Sequence, residues 1–365
     1  MIELTGTLTA VSPLHIGMGK KSGTFVKTLE HIPGRTIRGM VGYYLYTNKR
    51  ELFDKLRINE DMDMSDTGVY FKDALPRFDD HNTIASPISL RWCKKCEYLM
   101  EYNAKECHNM TDGKKCLHEG KKVTGFITLK SVSSGKLEKA RVNMQISTKC
   151  PITRDGHTSP GLDYESSPYH IEGIVPGTKF GFKCLVEDEY VDDLKEALTE
   201  AGVFAGLGGY RSRGYGTVAF TDMTETPVDD VIQKRSSEIS DIRNVMMVAN
   251  SPMILKNDTL SVIGFGDRFE EYAAKVSTSG NLSVTCIIEQ GEKEDQVKQR
   301  LTEGIARGWS IKDRNKVSEI IPCIGHGSCV MIKGDPEVLA TLEMYGVGEM
   351  TNSGYGDVYF MEGQI

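Results

Sequence analysis

Residues 206–220 read GLGGYRSRGYGTVAF, and residues 346–360 read GVGEMTNSGYGDVYF. Seven of the fifteen positions agree without a gap: Gly206/Gly346, Gly208/Gly348, Gly214/Gly354, Tyr215/Tyr355, Gly216/Gly356, Val218/Val358 and Phe220/Phe360. So many glycines in register mark a duplication, one supersecondary unit used twice. Upstream of the first copy, VDDLKEALTEAG sets Leu194, Leu198 and Ala201 at helical spacing, and PEVLATLEMYG before the second copy is also helix-like. Downstream, TVAF and DVYF alternate as strands do. Each unit predicts helix, glycine-rich loop, strand.

A second echo opens each half. LTAVSPLHI (8–16) matches MVANSPMIL (247–255) at Ser12-Pro13 and Ser251-Pro252, each the end of a first strand. These copies lie 239 residues apart and the loops 140 apart, so the first half carries about 99 extra residues. The fold class predicted is α+β: two ferredoxin-like (RRM-like) βαββαβ modules, residues 1–222 and 243–365. The boundary falls in the polar stretch DMTETPVDDVIQKRSSEISD (222–241), and the first module holds a cysteine-rich insertion at about 85–125.

Composition bounds the function. A chain of 365 residues with 39% hydrophobic and 26% charged residues is an ordinary globular composition with room for two cores. No apolar run reaches membrane-spanning length, and MIELTGTLTAVSP lacks the regions of a signal peptide. A cytoplasmic protein with no membrane partner is the expectation. The net charge of −7 is unusual for a free-standing nucleic-acid binder. Its distribution softens the objection: residues 1–50 carry seven Lys or Arg against two acids, and residues 51–80 carry nine acids against four bases. One basic face on an acidic body suits a subunit that meets RNA on one side, and solvated surface is the plain alternative.

Glycines permit positive φ and let a backbone approach a ligand, so successive N–H groups can cradle phosphates. A dinucleotide fingerprint needs strand, loop, then helix, the reverse of the order here. A P-loop needs a Lys that Thr217 lacks beside it. RNA remains. Arg213 to Phe220 nearly reproduces the RNP1 pattern, with Thr217 in place of one aromatic. The second copy ends five residues before Ile365, so a full RNA recognition motif does not fit there. The first loop, with Gly206, Gly208, Gly209, Arg211, Arg213, Gly214 and Tyr215, is the candidate RNA contact; arginine pairs with phosphate and stacks on bases. The second has no Arg or Lys between Gly346 and Gly356, and a purely structural turn is equally consistent with it.

Cys93-x-x-Cys96 is followed by Cys107 and Cys116, with His108 and His118 beside them. Four thiolates hold zinc tetrahedrally, and a closed set leaves no position for water, so a structural zinc is expected. The flanks are polar and lysine-rich, a composition that orders poorly without a staple.

The doubled helix–loop–strand unit, together with IPGRTIRGMVGYYL (32–45), resembles the CRISPR-associated RAMP superfamily. HIGMGKKSGTFVKTLEHIPG (15–34), the Gly308-Trp309 pair and GVGEMTNSGYG extend the resemblance to the Csx-group capping subunit of type III-D effector complexes. The resemblance implies a subunit that binds the 5′ handle of the CRISPR RNA and meets RAMP backbone subunits and a Cas10-type large subunit. On matching positions it implies Arg35 and Arg38, at a helix start that favours anions, and Lys20 and Lys21 on the preceding loop as phosphate binders. The resemblance further implies that the long loop after Cys150, with Arg154 and His157, wedges against a neighbouring subunit or the RNA. Target-cutting members of the family carry an aspartate in the loop that here reads GMGKKSGTFVKTLE, whose one acid is Glu30, so no target cleavage is expected. Two rival classes stay open. A metal-independent endoribonuclease would use His15 or His31, assisted by Tyr215, Arg213 and Lys27, and a protein scaffold would touch no RNA.

Overall fold

A computed structural model of the chain describes residues 1–22, 25–58, 67–100, 107, 110–111, 114–150, 168–256, 261–262, 264–276, 285–287, 299–306 and 321–363. The elements that position the site are, in the first half, β1 (Ile2–Ala10), α1 (Gly34–Asn48), β2 (Val69–Phe71), β3 (Lys179–Val186), α2 (Val191–Phe204) and β4 (Val218–Pro227). They continue as α3 (Val228–Ser240), β5 (Val245–Ala249), α4 (Asp267–Val276), β6 (Thr285–Ile287), β7 (Cys329–Lys333), α5 (Pro336–Tyr345) and β8 (Val358–Glu362). The chain is mixed α+β.

The first sheet runs β4-β1-β3-β2 and the second β8-β5-β7-β6, all neighbours antiparallel. The two sheets share their register. Leu8 lies opposite Phe220 and Ala10 opposite Val218; Met247 lies opposite Phe360 and Ala249 opposite Val358. Register is fixed here because a one-residue slip would turn each strand's apolar set away from the helices. Leu4, Leu8, Phe180 and Phe220 meet Ile37, Val41 and Leu45 of α1 and Leu194, Leu198 and Ala201 of α2 in the first core. Met247, Val330, Ile332 and Phe360 meet Phe269 of α4 and Val338, Leu339 and Leu342 of α5 in the second.

The stretch 222–241 is the tail of β4 followed by α3, whose Val228 and Ile239 are buried. Arg235 of α3 grips Glu343 of α5 through Nε at 2.6 Å and Nη2 at 2.9 Å. Burial raises the Glu343 carboxyl, and Arg235 and the Phe360 N–H oppose that rise. Such a two-point guanidinium–carboxylate pair fixes geometry as well as charge.

The extra residues of the first half roof the second sheet. Ile84, Val123 and Ile127 pack on Met246, Val248, Cys329, Met331 and Met361, the face of β5, β7 and β8 turned away from the helices. Strands buried on both faces read as continuous apolar runs, as VMMVA does in β5. Each such side chain buried adds about 1.5–3 kcal/mol. A separate four-stranded sheet beside the first half is ordered Met144–Lys149, Tyr169–Ile174, Phe25–Thr28 and Gly17–Ser22.

Candidate nucleic-acid interface and metal centre

The two sequence echoes meet in space. Each Ser-Pro at the end of a first strand supports the glycine loop of its own half. Gly216 N–H donates to the Pro13 carbonyl at 2.9 Å and Gly356 N–H to the Pro252 carbonyl at 2.8 Å. Thr217 N–H donates to Ser12 Oγ at 2.9 Å, and Asp357 N–H to Ser251 Oγ at 2.8 Å. Leu207 N–H reaches the Gly216 carbonyl at 2.7 Å, and Val347 N–H the Gly356 carbonyl at 2.9 Å. Gly209 N–H reaches the His15 carbonyl and Glu349 N–H the Ile254 carbonyl, both at 2.9 Å. A short 3₁₀ turn, Arg211–Arg213 or Thr351–Ser353, crowns each loop after a left-handed residue, Tyr210 or Met350, both at φ 58°. Gly214 and Gly354 follow at φ 84° and 89°, a conformation that a side chain strains by about 1–2 kcal/mol.

The surroundings differ. Arg211, Ser212, Arg213 and Gly214 are exposed, and a Cβ added at Gly214 would meet nothing within 4 Å. Arg211 Nη1 donates to the Ala205 carbonyl at 2.8 Å and its guanidinium lies 5.7 Å from the Tyr43 ring. Arg213 binds the Tyr169 hydroxyl and lies 5.7 Å from the Tyr169 ring and 5.6 Å from the Tyr210 ring. Two cations among three tyrosines form a surface suited to phosphate and to stacked bases. Tyr215, the loop tyrosine marked in the sequence, is instead buried, and its ring packs against the backbone of Gly173. The exposed Tyr43 and the half-buried Tyr169 and Tyr210 stand beside the arginines; the alternation of Tyr and Arg in GGYRSRGY marks Tyr210, and nothing local marks the other two.

The second loop is an internal joint. Thr351, Asn352, Ser353 and Tyr355 are buried. A Cβ on Gly354 would come to 2.9 Å from Gly34 Cα and 2.8 Å from Asp73 Oδ1, so the loop sits on the start of α1. Asp73 Oδ1 accepts the Gly34 N–H at 2.7 Å. The anion at this helix N-terminus is thus the protein's own carboxylate, and Arg35 binds the Tyr355 hydroxyl. Lys72, 2% exposed, lies 3.0 Å from Asp357 as an ion pair outside hydrogen-bond geometry. Arg38 is half-buried on α1 and carries a partner of its own.

His15 is buried under the first loop. Its Nδ1 lies 2.7 Å from the Glu172 carbonyl oxygen, and its ring meets Tyr210 edge-on at 5.0 Å. His31 is buried beside His326, with ring centroids 4.5 Å apart. Burial first, then the His326 and Arg35 charges, hold His31 well below 6.5. The two histidines of the catalytic alternative therefore stand at separate places, neither on the exposed loop. Lys20 and Lys21 lie on the strand Gly17–Ser22, with their side chains outside the described residues. Arg154, His157, His108 and the Gly308-Trp309 pair also lie outside them.

The four cysteines come together. The Sγ atoms of Cys93, Cys96, Cys107 and Cys116 all lie within 4.8 Å of one another, with Cys93–Cys116 and Cys96–Cys107 each at 3.8 Å. All four are free thiols, and Cys93, Cys107 and Cys116 are buried. Burial opposes ionisation of Cys93, but the Cys96 and Lys95 amides and neighbouring thiols bring it down to about 7. His118 Nδ1 lies 3.4 Å from Cys116 Sγ. The cluster is compatible with a metal site.

An α+β chain whose exposed glycine loop carries arginine among tyrosines belongs to the class of candidate nucleic-acid-binding proteins. A family model described as the RAMP superfamily matches residues 7–219, more than half of the sequence. The chain belongs to the RAMP superfamily. Curated proteins give no match. Among solved structures, it is similar to a chain from the cryo-EM structure of the Type III-B Cmr-beta bound to cognate target RNA, at 14% identity and TM-score 0.35. That likeness covers 61% of this chain and 60% of the other, so this chain spans about three fifths of that neighbour. It is similar to a chain of the same complex bound to cognate target RNA and AMPPnP, at 12% identity and TM-score 0.46, covering 91% and 86%. It is also similar to a chain of the Csm3-Csm4 subcomplex in the type III-A CRISPR-Cas interference complex, at 13% identity and TM-score 0.42, covering 92% and 94%. The family assignment rests on the sequence match. Among the described residues, no helix is long and apolar enough to cross a membrane.

Proposed function

We propose that this chain is a non-catalytic RNA-binding subunit of a type III CRISPR effector ribonucleoprotein, holding the 5′ handle of the CRISPR RNA on its first glycine loop. The observation that carries the reading is the exposed Arg211, Arg213 and Tyr43, with the half-buried Tyr169 and Tyr210 beside them, around a loop whose backbone is already fixed by Pro13, Ser12 and His15. Family membership and the motif order 15–34, 206–216 and 346–356 agree with it. The matching sheet orders and registers of the two halves support two ferredoxin-like modules, 1–222 and 243–365, in which the second loop joins the halves and the first faces outward. RAMP backbone subunits and a Cas10-type subunit are the partners this role requires.

In the same reading the four cysteines hold a structural zinc. A tetrahedral ion with Zn–S near 2.3 Å places its sulfurs about 3.8 Å apart, and two pairs here stand at 3.8 Å. The ion would supply cross-linking of the segment from Cys93 to Cys116, with His118 beside Cys116 as an outer partner.

Endoribonuclease chemistry has less support, because His15 is buried and its Nδ1 lies against the Glu172 carbonyl. Binding of a 5′-handle RNA measured against salt, with cleavage scored in parallel, tests the proposal. Arg211→Ala/Arg213→Ala should weaken binding by about tenfold or more, since hydrogen bonds to charged groups contribute about 1.5–3 kcal/mol each. The double variant should also flatten the log–log salt slope by about 1.4, at about 0.7 per single-strand phosphate. Wild-type binding that is absent favours the scaffold, and repeat cleavage lost on His15→Ala favours the nuclease.

A further inference from the structure

The joint between the halves contains a second set of metal-ligand side chains, unrelated to the cysteines. His31 precedes α1, Asp73 follows β2, and His326 lies in the turn before β7, so two belong to the first half and one to the second. Their donor atoms all lie within 4.8 Å of one another. His31 Nε2 is 3.6 Å and His326 Nε2 is 3.5 Å from the same oxygen, Asp73 Oδ2.

Two features separate this cluster from a plain ion-pair network. The Asp73 side chain is only 4% exposed, yet Oδ2 has no hydrogen-bond partner, and neither does His326 Nε2. Orphaned buried polar atoms are rare, because each forgoes water without replacement. The spacing is also wrong for direct contact. A charge-assisted N–H···O bond closes to about 2.7–2.9 Å. Nitrogen and oxygen ligands held at about 2.0–2.2 Å by a tetrahedral ion stand instead about 3.4 Å apart. The observed 3.5 and 3.6 Å fit donors facing a shared ion. Asp73 Oδ1 is meanwhile fixed by the Gly34 N–H, which leaves Oδ2 for the centre, and Phe126 packs edge-on against both imidazoles. Arg35 stands nearby as an opposing charge, but its guanidinium is held by Tyr355.

We propose that His31, Asp73 and His326 form a binding site for a borderline divalent transition ion of the Zn²⁺/Co²⁺ class that staples the two halves beside the second glycine loop. Two imidazoles and one carboxylate suit such an ion, whereas Mg²⁺ and Ca²⁺ take oxygen ligands. Three protein ligands leave the fourth position of a tetrahedral ion to a further ligand.

The test is metal stoichiometry and the Co²⁺ spectrum of the full chain, loaded and then desalted. With the cysteine set filled, wild type should carry two equivalents and His326→Ala one. His326 sits on a turn, so its substitution leaves both cores intact. Cys93→Ser/Cys96→Ser should keep one Co²⁺ whose spectrum lacks thiolate charge transfer, and His326→Ala should remove that signal. A wild type holding one equivalent that His326→Ala abolishes supports this site and overturns the cysteine zinc. Equal stoichiometry in wild type, His326→Ala and Asp73→Asn overturns the present inference.

Discussion

The two glycine loops share one backbone and do opposite things. Each hangs from its Ser-Pro strand end by the same hydrogen bonds, passes through the same left-handed positions and carries the same 3₁₀ crown. The crowns differ at every position, Tyr210-Arg211-Ser212-Arg213 against Met350-Thr351-Asn352-Ser353. Thr351, Asn352 and Ser353 are packed on the start of α1, with Met350 exposed beside them; Arg211, Ser212 and Arg213 stay in solvent with tyrosines around them. The helices before the loops repeat the contrast. Phe204 of α2 is 77% exposed, while Met344, its counterpart in α5, is buried. A duplicated scaffold thus keeps its hydrogen bonds and changes its partner through a few side chains: protein for one copy, and in our reading RNA for the other.

The contrast can be broken by substitution at equivalent positions. The largest effect is expected at Lys72, which pairs with Asp357 under the second loop. Lys72→Ala leaves the half-buried Asp357 carboxylate unpaired and should cost about 3 kcal/mol, the low end for breaking such a pair. Thr217→Ala, at the position equivalent to Asp357, should cost less than about 1 kcal/mol. Chemical denaturation of the two variants measures the difference, and equal losses would dissolve the contrast.

Gly354→Ala and Gly214→Ala come next. Both pay about 1–2 kcal/mol for a left-handed alanine. Only Gly354→Ala also drives a Cβ against Gly34 and Asp73, adding about 1–3 kcal/mol of overpacking. The smallest difference is expected at the Ser-Pro serines. Ser251→Ala strands the Asp357 N–H beside a fully buried side chain, at about 1–3 kcal/mol. Ser12→Ala removes the same bond from the half-buried Thr217 and should cost about 0.5–1 kcal/mol.

Much of this was legible in the residues. The 3.6-residue spacing of Leu194, Leu198 and Ala201 and the alternation of TVAF and DVYF correspond to α2, β4 and β8. The cysteine spacing foretold four sulfurs in one place. What the sequence hid was long-range. That Ser12 and Ser251 cap the loops depends on pairings across about two hundred and one hundred residues, invisible to local pattern. The polar look of 222–241 concealed a strand tail and α3, since two buried residues, Val228 and Ile239, suffice to dock a helix whose ion pair with Glu343 comes from elsewhere. The bond of Arg35 to the Tyr355 hydroxyl joins residues 320 positions apart, beyond any local pattern. The His31–Asp73–His326 cluster joins residues too far apart for any spacing rule to find.

Ultraviolet cross-linking of the assembled particle, read by mass spectrometry, tests the central claim most directly. Cross-linked nucleotides should map to Tyr43, Tyr169 or Tyr210 and be missing from residues 346–356. Adducts on Met350 to Tyr355, with none on the three tyrosines, would contradict the account.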